Sequence, residues 1–112
     1  MARLIVETLS EDTIAAPGNR QPNYIAVSVT DVNGMPVTAL TKANFKVQPI
    51  IVAPGGALVN ITVVAPGPLP GFYIVEVVPI GNQTWKNGVY IFAIAVAKGA
   101  DKGQNLASVL LD

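Results

Sequence analysis

Apolar and polar positions alternate along most of this chain with a period of two. The stretch "NYIAVSVTD" (23–31) puts Ile25, Val27 and Val29 on one face and Tyr24, Ala26, Ser28 and Thr30 on the other. That pattern predicts a half-buried strand. "ALVNITVV" (57–64) repeats it, with Val59, Ile61 and Val63 inward and Leu58, Asn60, Thr62 and Val64 opposite. "RLIVETL" (3–9), "FYIVEVVPI" (72–80) and "QNLASVLL" (104–111) read as further strands. "FKVQPIIV" (45–52) is another, and Pro49 confines it to a sheet edge or a bulge. "VYIFAIAVA" (89–97) is apolar without interruption, which predicts a central strand contacted on both faces.

Turn chemistry separates these runs. Pro17-Gly18, Asn33-Gly34, "APGG" (53–56), "APGPLPG" (65–71), "GNQTWKNG" (81–88) and "KGADKG" (98–103) supply the glycines, prolines and amides of tight connections. Pro36 limits any strand after Asn33-Gly34 to an edge or to its first residue. Thr41 is placed to cap one helical turn over 42–44, from which Phe45 returns to the core. No amphipathic helix of ten or more residues is present. Seven or eight short strands at close spacing predict an all-β chain: a single antiparallel β-sandwich over residues 1–112. A closed barrel fits less well. No internal repeat or interdomain linker interrupts the pattern.

Composition changes the picture at the surface. Of 112 residues, 51% are hydrophobic and 12% charged, against about 25% charged in an ordinary domain. Thr, Asn, Gln, Ser, Pro and exposed apolar groups must then cover the outside, which fits equally a surface covered by a partner or by copies of the chain, or a large core beneath a Thr/Asn-rich surface. Seven basic residues balance seven acidic ones, with no run of like charge. Nucleic-acid binding therefore lacks its electrostatic footprint, and no polybasic membrane segment is visible. No apolar run approaches the ~18 residues of a membrane helix, so no membrane insertion is expected. "MARLIVETLSEDT" lacks the apolar core of a signal peptide, and localisation is left open.

The stretch "VSVTDVNGMPVTALTKANFKV" (27–47) resembles the early strands of bacterial immunoglobulin-like domains of the invasin type. Asp31, Asn33, Gly34, Pro36, Val37, Leu40, Thr41, Asn44 and Phe45 carry the match. Gly71, Tyr73, Trp85, Gly88 and Tyr90 are similar to markers of the paired late strands of such sandwiches. These motifs are shared with transthyretin-like and carboxypeptidase-regulatory-like sandwiches. The resemblance implies an immunoglobulin-like Greek key with no catalytic residues, used for adhesion, spacing or attachment to another protein.

The candidate chemistry is sparse. With neither His nor Cys, Ser/His/Asp, Cys/His and transition-metal sites fall away. Asp31 with Asn33, and Glu11 with Asp12, offer oxygen ligands but lack the rest of a calcium loop. They read as turn residues bonding their own backbone. Glu76 has no second acid placed near it for glycoside chemistry. "NIT" at Asn60 and "NQT" at Asn82 fit the glycosylation triplet. No cofactor is implied. Tyr24, Tyr73 and Tyr90 are expected to pack with their hydroxyls at the surface.

Trp85 stands among Asn82, Gln83, Lys86 and Asn87. Two readings follow. An exposed ring among amides would stack on a sugar or a protein, making Trp85, Asn82, Lys86 and Asn87 an interaction site. Alternatively Trp85 folds inward and caps one end of the sandwich. The leading expectation is a non-catalytic structural or protein-interaction module, part of a homo-oligomer or larger assembly. The alternative is a small carbohydrate-binding module centred on the Trp85 loop.

Overall fold

The computed structural model describes residues 3–10, 18–56 and 58–111. Glu11, Asp12, Pro17 and most of the first connection lie outside them. Seven strands form: β1 (Ile5–Ser10), β2 (Asn23–Thr30), β3 (Phe45–Ile51), β4 (Val59–Pro66), β5 (Phe72–Pro79), β6 (Gly88–Lys98) and β7 (Asp101–Leu111). They make two antiparallel sheets, ordered β1-β2-β5-β4 and β3-β6-β7. The sheets pack face to face as a sandwich, so the all-β reading holds.

Alternation builds the core. Ile25, Val27 and Val29 of β2 and Tyr73, Val75 and Val77 of β5 point inward. Tyr90, Phe92, Ile94 and Val96 of β6 meet them from the other sheet, all at 1% exposure or less. Burying an aliphatic side chain of this size stabilises by roughly 1.5–3 kcal/mol, so the six valines and isoleucines of β2, β5 and β6 that are completely enclosed dominate the fold energetics.

β4 departs from simple alternation. Its register against β5 runs Ile61↔Val77 and then Val63↔Glu76, leaving Thr62 unmatched. Such a bulge reverses the facing of every later residue. Val63 is therefore exposed and Val64, expected outside, packs against the core. The Thr62 hydroxyl is 2.8 Å from a Glu76 carboxylate oxygen, so Glu76 has a structural partner on the outer face. On β3 the register shifts between Pro49 and Ile51. The strand is an edge and it is bulged, as the proline predicts.

The connections follow their turn chemistry. The Asp31 carboxylate accepts the Asn33 and Met35 amides at 2.8 and 3.0 Å, and Gly34 takes the positive φ of 81°. Lys42–Asn44 is a single 3-10 turn, and Phe45 after it is buried. The Asn44 side chain accepts the Thr41 amide at 2.8 Å and donates to the Ala97 carbonyl at 2.9 Å. Asn44 thus anchors the turn to the end of β6.

β1 joins the two sheets. It pairs antiparallel with β2, while Arg3 forms a parallel bridge to Lys102 and the Leu4 amide donates to the Lys102 carbonyl at 2.9 Å. Asn105 Nδ2 donates to the Val6 carbonyl at 2.8 Å, and the Thr8 hydroxyl donates to the Leu106 carbonyl. The chain comes so close to β7 that a β-carbon on Gly103 would collide with the Leu4 carbonyl oxygen. Gly103→Ala is expected to destabilise the fold by about 1–3 kcal/mol, the scale of overpacking, although alanine is ordinarily the better residue in a strand. Urea denaturation of the two proteins checks this. Equal midpoints would show that β1 does not press on β7.

Candidate functional site

The loop between β5 and β6 places Trp85 inward. Its ring is fully buried, and its Nε1 donates to the Gln21 carbonyl at 2.7 Å. Backbone bonds clamp it from both sides: the Trp85 amide donates to the Asn19 carbonyl, and the Gly18 amide donates to the Trp85 carbonyl. Tyr90 meets it edge-on with ring centroids 5.1 Å apart. Arg20 donates to the Gln83 and Pro79 carbonyls, each at 3.0 Å. Trp85 is thus the cap of this end of the sandwich, and it presents no face for stacking a sugar. Asn82, Lys86 and Asn87 do reach the surface, but the ring they were expected to frame is beneath them.

The tyrosine hydroxyls also differ from expectation. Tyr90 is buried, and its oxygen accepts the Lys86 amide at 3.0 Å. Tyr73 is buried too; its hydroxyl donates to the Val37 carbonyl at 2.7 Å and accepts the Leu40 amide at 3.3 Å. Both phenols pin a loop to the core, because a buried hydroxyl must find partners. Their position on inward-facing strand positions was the signal: a tyrosine there cannot easily reach water.

No group of three or more acidic, His or Cys side chains gathers among the described residues. The outer face of β3-β6-β7 is more informative. The register lays Ile51 beside Ile91, Ala93 beside Gln48 and Leu106, Ser108 beside Ile91, and Val89 beside Leu110. Val89, Leu106 and Leu110 are 44%, 55% and 56% exposed, and Ile50 and Ile51 are similar. β6 is therefore central, and among the described residues no second sheet lies over its outer side, where Val89 is exposed, Ile91 and Ala95 are half-buried and Ala93 is enclosed by its neighbours. Its uninterrupted apolar sequence is that of a strand covered on both. At the far end this face carries Lys46 and Lys102, which flank a shallow depression of about 360 Å³ floored by Ala95 and Ala97.

Because Trp85 is sealed, its fluorescence is expected to be blue-shifted and resistant to acrylamide. Trp85→Ala is expected to cost about 3–5 kcal/mol, the range for losing a large buried aromatic. A red-shifted, readily quenched spectrum would return the ring to the surface.

Compared with family models, curated proteins and solved structures, the chain matches none of them.

Proposed function

We propose that this chain is a non-catalytic, immunoglobulin-like structural module that assembles with copies of itself through the outer face of β3-β6-β7. The observation that carries this reading is the outer side of β6, an apolar central strand over which no second sheet lies and beside which Ile51, Val89, Leu106 and Leu110 are exposed. Its strand order, four plus three with β1-β2-β5-β4 against β3-β6-β7, coincides with that of constant-type immunoglobulin sandwiches. That agreement supports the Greek-key resemblance of the sequence.

The size of the face favours a second copy. β3, β6 and β7 have seven, eleven and eleven residues, which at ~3.3 Å per residue and ~4.8 Å between strands gives a footprint of about 460 Å². Two such faces bury about 900 Å², in the range of a weak, transient interface. The association is accordingly weak and concentration-dependent. Lys46 and Lys102 select the arrangement. Antiparallel stacking of the two copies separates the lysine ends, whereas parallel stacking brings four ammonium groups together. Glycan stacking at this loop would need an exposed Trp85 ring, and the ring is buried.

Sedimentation velocity over a range of concentrations tests the proposal. The native chain is expected to move toward a dimer as concentration rises. Val89→Lys with Leu106→Lys is expected to hold it monomeric with an unchanged melting temperature, because both side chains are already exposed. A chain that stays monomeric at the highest concentration would contradict self-assembly, and leave a different protein as the occupant of this face.

A further inference from the structure

A second surface lies at one end of the sandwich, where it shares Lys46 and Lys102 with the edge of the open face. The β2–β3 and β4–β5 connections both protrude there. At their tips Val32, Met35 and Leu69 are 61%, 62% and 59% exposed. These are not loose loops. The Asp31 carboxylate holds the first turn through two amides. The second turn is closed by the Phe72 amide on the Leu69 carbonyl and the Gly67 amide on the Phe72 carbonyl. Pro68 and Pro70 flank Leu69 and stiffen it further. The two loops also touch: a β-carbon on Gly71 would lie 2.8 Å from the Pro36 Cβ. The result is a pair of braced, exposed apolar tips held side by side.

Charge gathers behind these tips. Lys42 is in the 3-10 turn, Lys46 is the second residue of β3, and Lys98 and Lys102 bracket the β6–β7 hairpin. Arg3 bridges to Lys102. Five of the chain's seven basic residues thus lie at this end. Asp31, Asp101 and Glu7, which pairs beside Ser28 and so lies level with Phe72, oppose them among the described residues there, leaving a formal +2 on a chain of zero net charge. The sequence conceals this cluster, since the five cations are spread from position 3 to position 102 and no two are adjacent.

We infer that this loop end docks onto an anionic lipid surface, with Val32, Met35 and Leu69 entering the interface and the surrounding basic side chains attracted to the headgroups. Exposed apolar tips beside a surplus of basic side chains fit the combined apolar and anionic character of such a lipid interface. Surface attachment of this kind combines buried apolar area with attraction of basic side chains to anionic headgroups. Long lysine stems let the ammonium groups stay with the headgroups while the tips go deeper. No strand or helix crosses the bilayer in this arrangement.

Cosedimentation of the 112-residue chain with phosphatidylcholine vesicles, with and without phosphatidylserine, tests the inference. Binding is expected only to the phosphatidylserine vesicles and is expected to fall as salt rises. Lys42→Gln and Lys102→Gln should each lower the partition coefficient about five-fold, the effect of one basic residue near such a surface. Met35→Asp with Leu69→Asp should abolish binding, with the melting temperature unchanged since both side chains are exposed. Orientation has its own readout. The emission of Met35→Trp should shift to the blue and be quenched by brominated lipid, while native Trp85 at the opposite end should not respond. No binding to either vesicle would overturn the inference. So would binding that survives the aspartate substitutions, or capture by an acidic polypeptide with none by vesicles.

Discussion

The chain has no Cys for a disulfide and no helix longer than one turn among the described residues, so the fold depends on burial of alternate residues from β2, β5 and β6 between the two sheets. Ile25, Val27, Val29, Val75, Val77, Phe92 and Ile94 are each completely enclosed. At this density any displaced methylene is felt. Everything else is arranged around keeping that layer dry. β1 closes one side by pairing with β2 and touching β7 at Gly103. Trp85 and Tyr90 seal one end. Phe45, Leu40 and the Tyr73 hydroxyl secure the other, with the Phe45 and Tyr73 rings 5.4 Å apart.

That division of labour explains which surfaces are free to act. The Trp85 end is consumed by stability: its indole, the Tyr90 phenol and the Arg20 guanidinium all bond to loop backbone. The other end is built differently. Its turns satisfy their own amides, so they need not bury their side chains, and Val32, Met35 and Leu69 remain outside. The outer face of β6 is left over for a third reason. A strand in the middle of a three-stranded sheet has two faces, and a single sandwich covers one. Ile91, Ala93 and Ala95 are small or apolar on the side where solvent-facing strands ordinarily carry Thr, Lys or Glu.

Much of the fold was legible because the physics that sets it is local. The period of two in "NYIAVSVTD", the proline in "FKVQPIIV" and the Thr41–Asn44 turn each signal their structure within a few residues. The facing of Val63 and Val64 was not legible. Nothing in "NITVV" announces a bulge, which arises from pairing with β5. The β7 strand begins three residues earlier than its apolar pattern, since Gly99 at φ 62° opens a two-residue hairpin from which Asp101 already pairs with Lys98. Trp85 illustrates the limit for sites. Its polar neighbours suited an exposed ring and a buried one equally, and only the distant Gln21 carbonyl and Tyr90 ring decide between them. The basic end is invisible for the same reason: Arg3, Lys42, Lys46, Lys98 and Lys102 meet through topology.

The central claim is that the open face of β6 is covered by a second copy. Methyl spectra of the labelled chain over a dilution series test it most directly. The account predicts that the Val89, Ile91 and Leu106 methyls shift with concentration while the enclosed Val27 and Val75 methyls stay fixed. Methyl positions independent of concentration, or shifts located on the outer face of β1-β2-β5-β4, would contradict it.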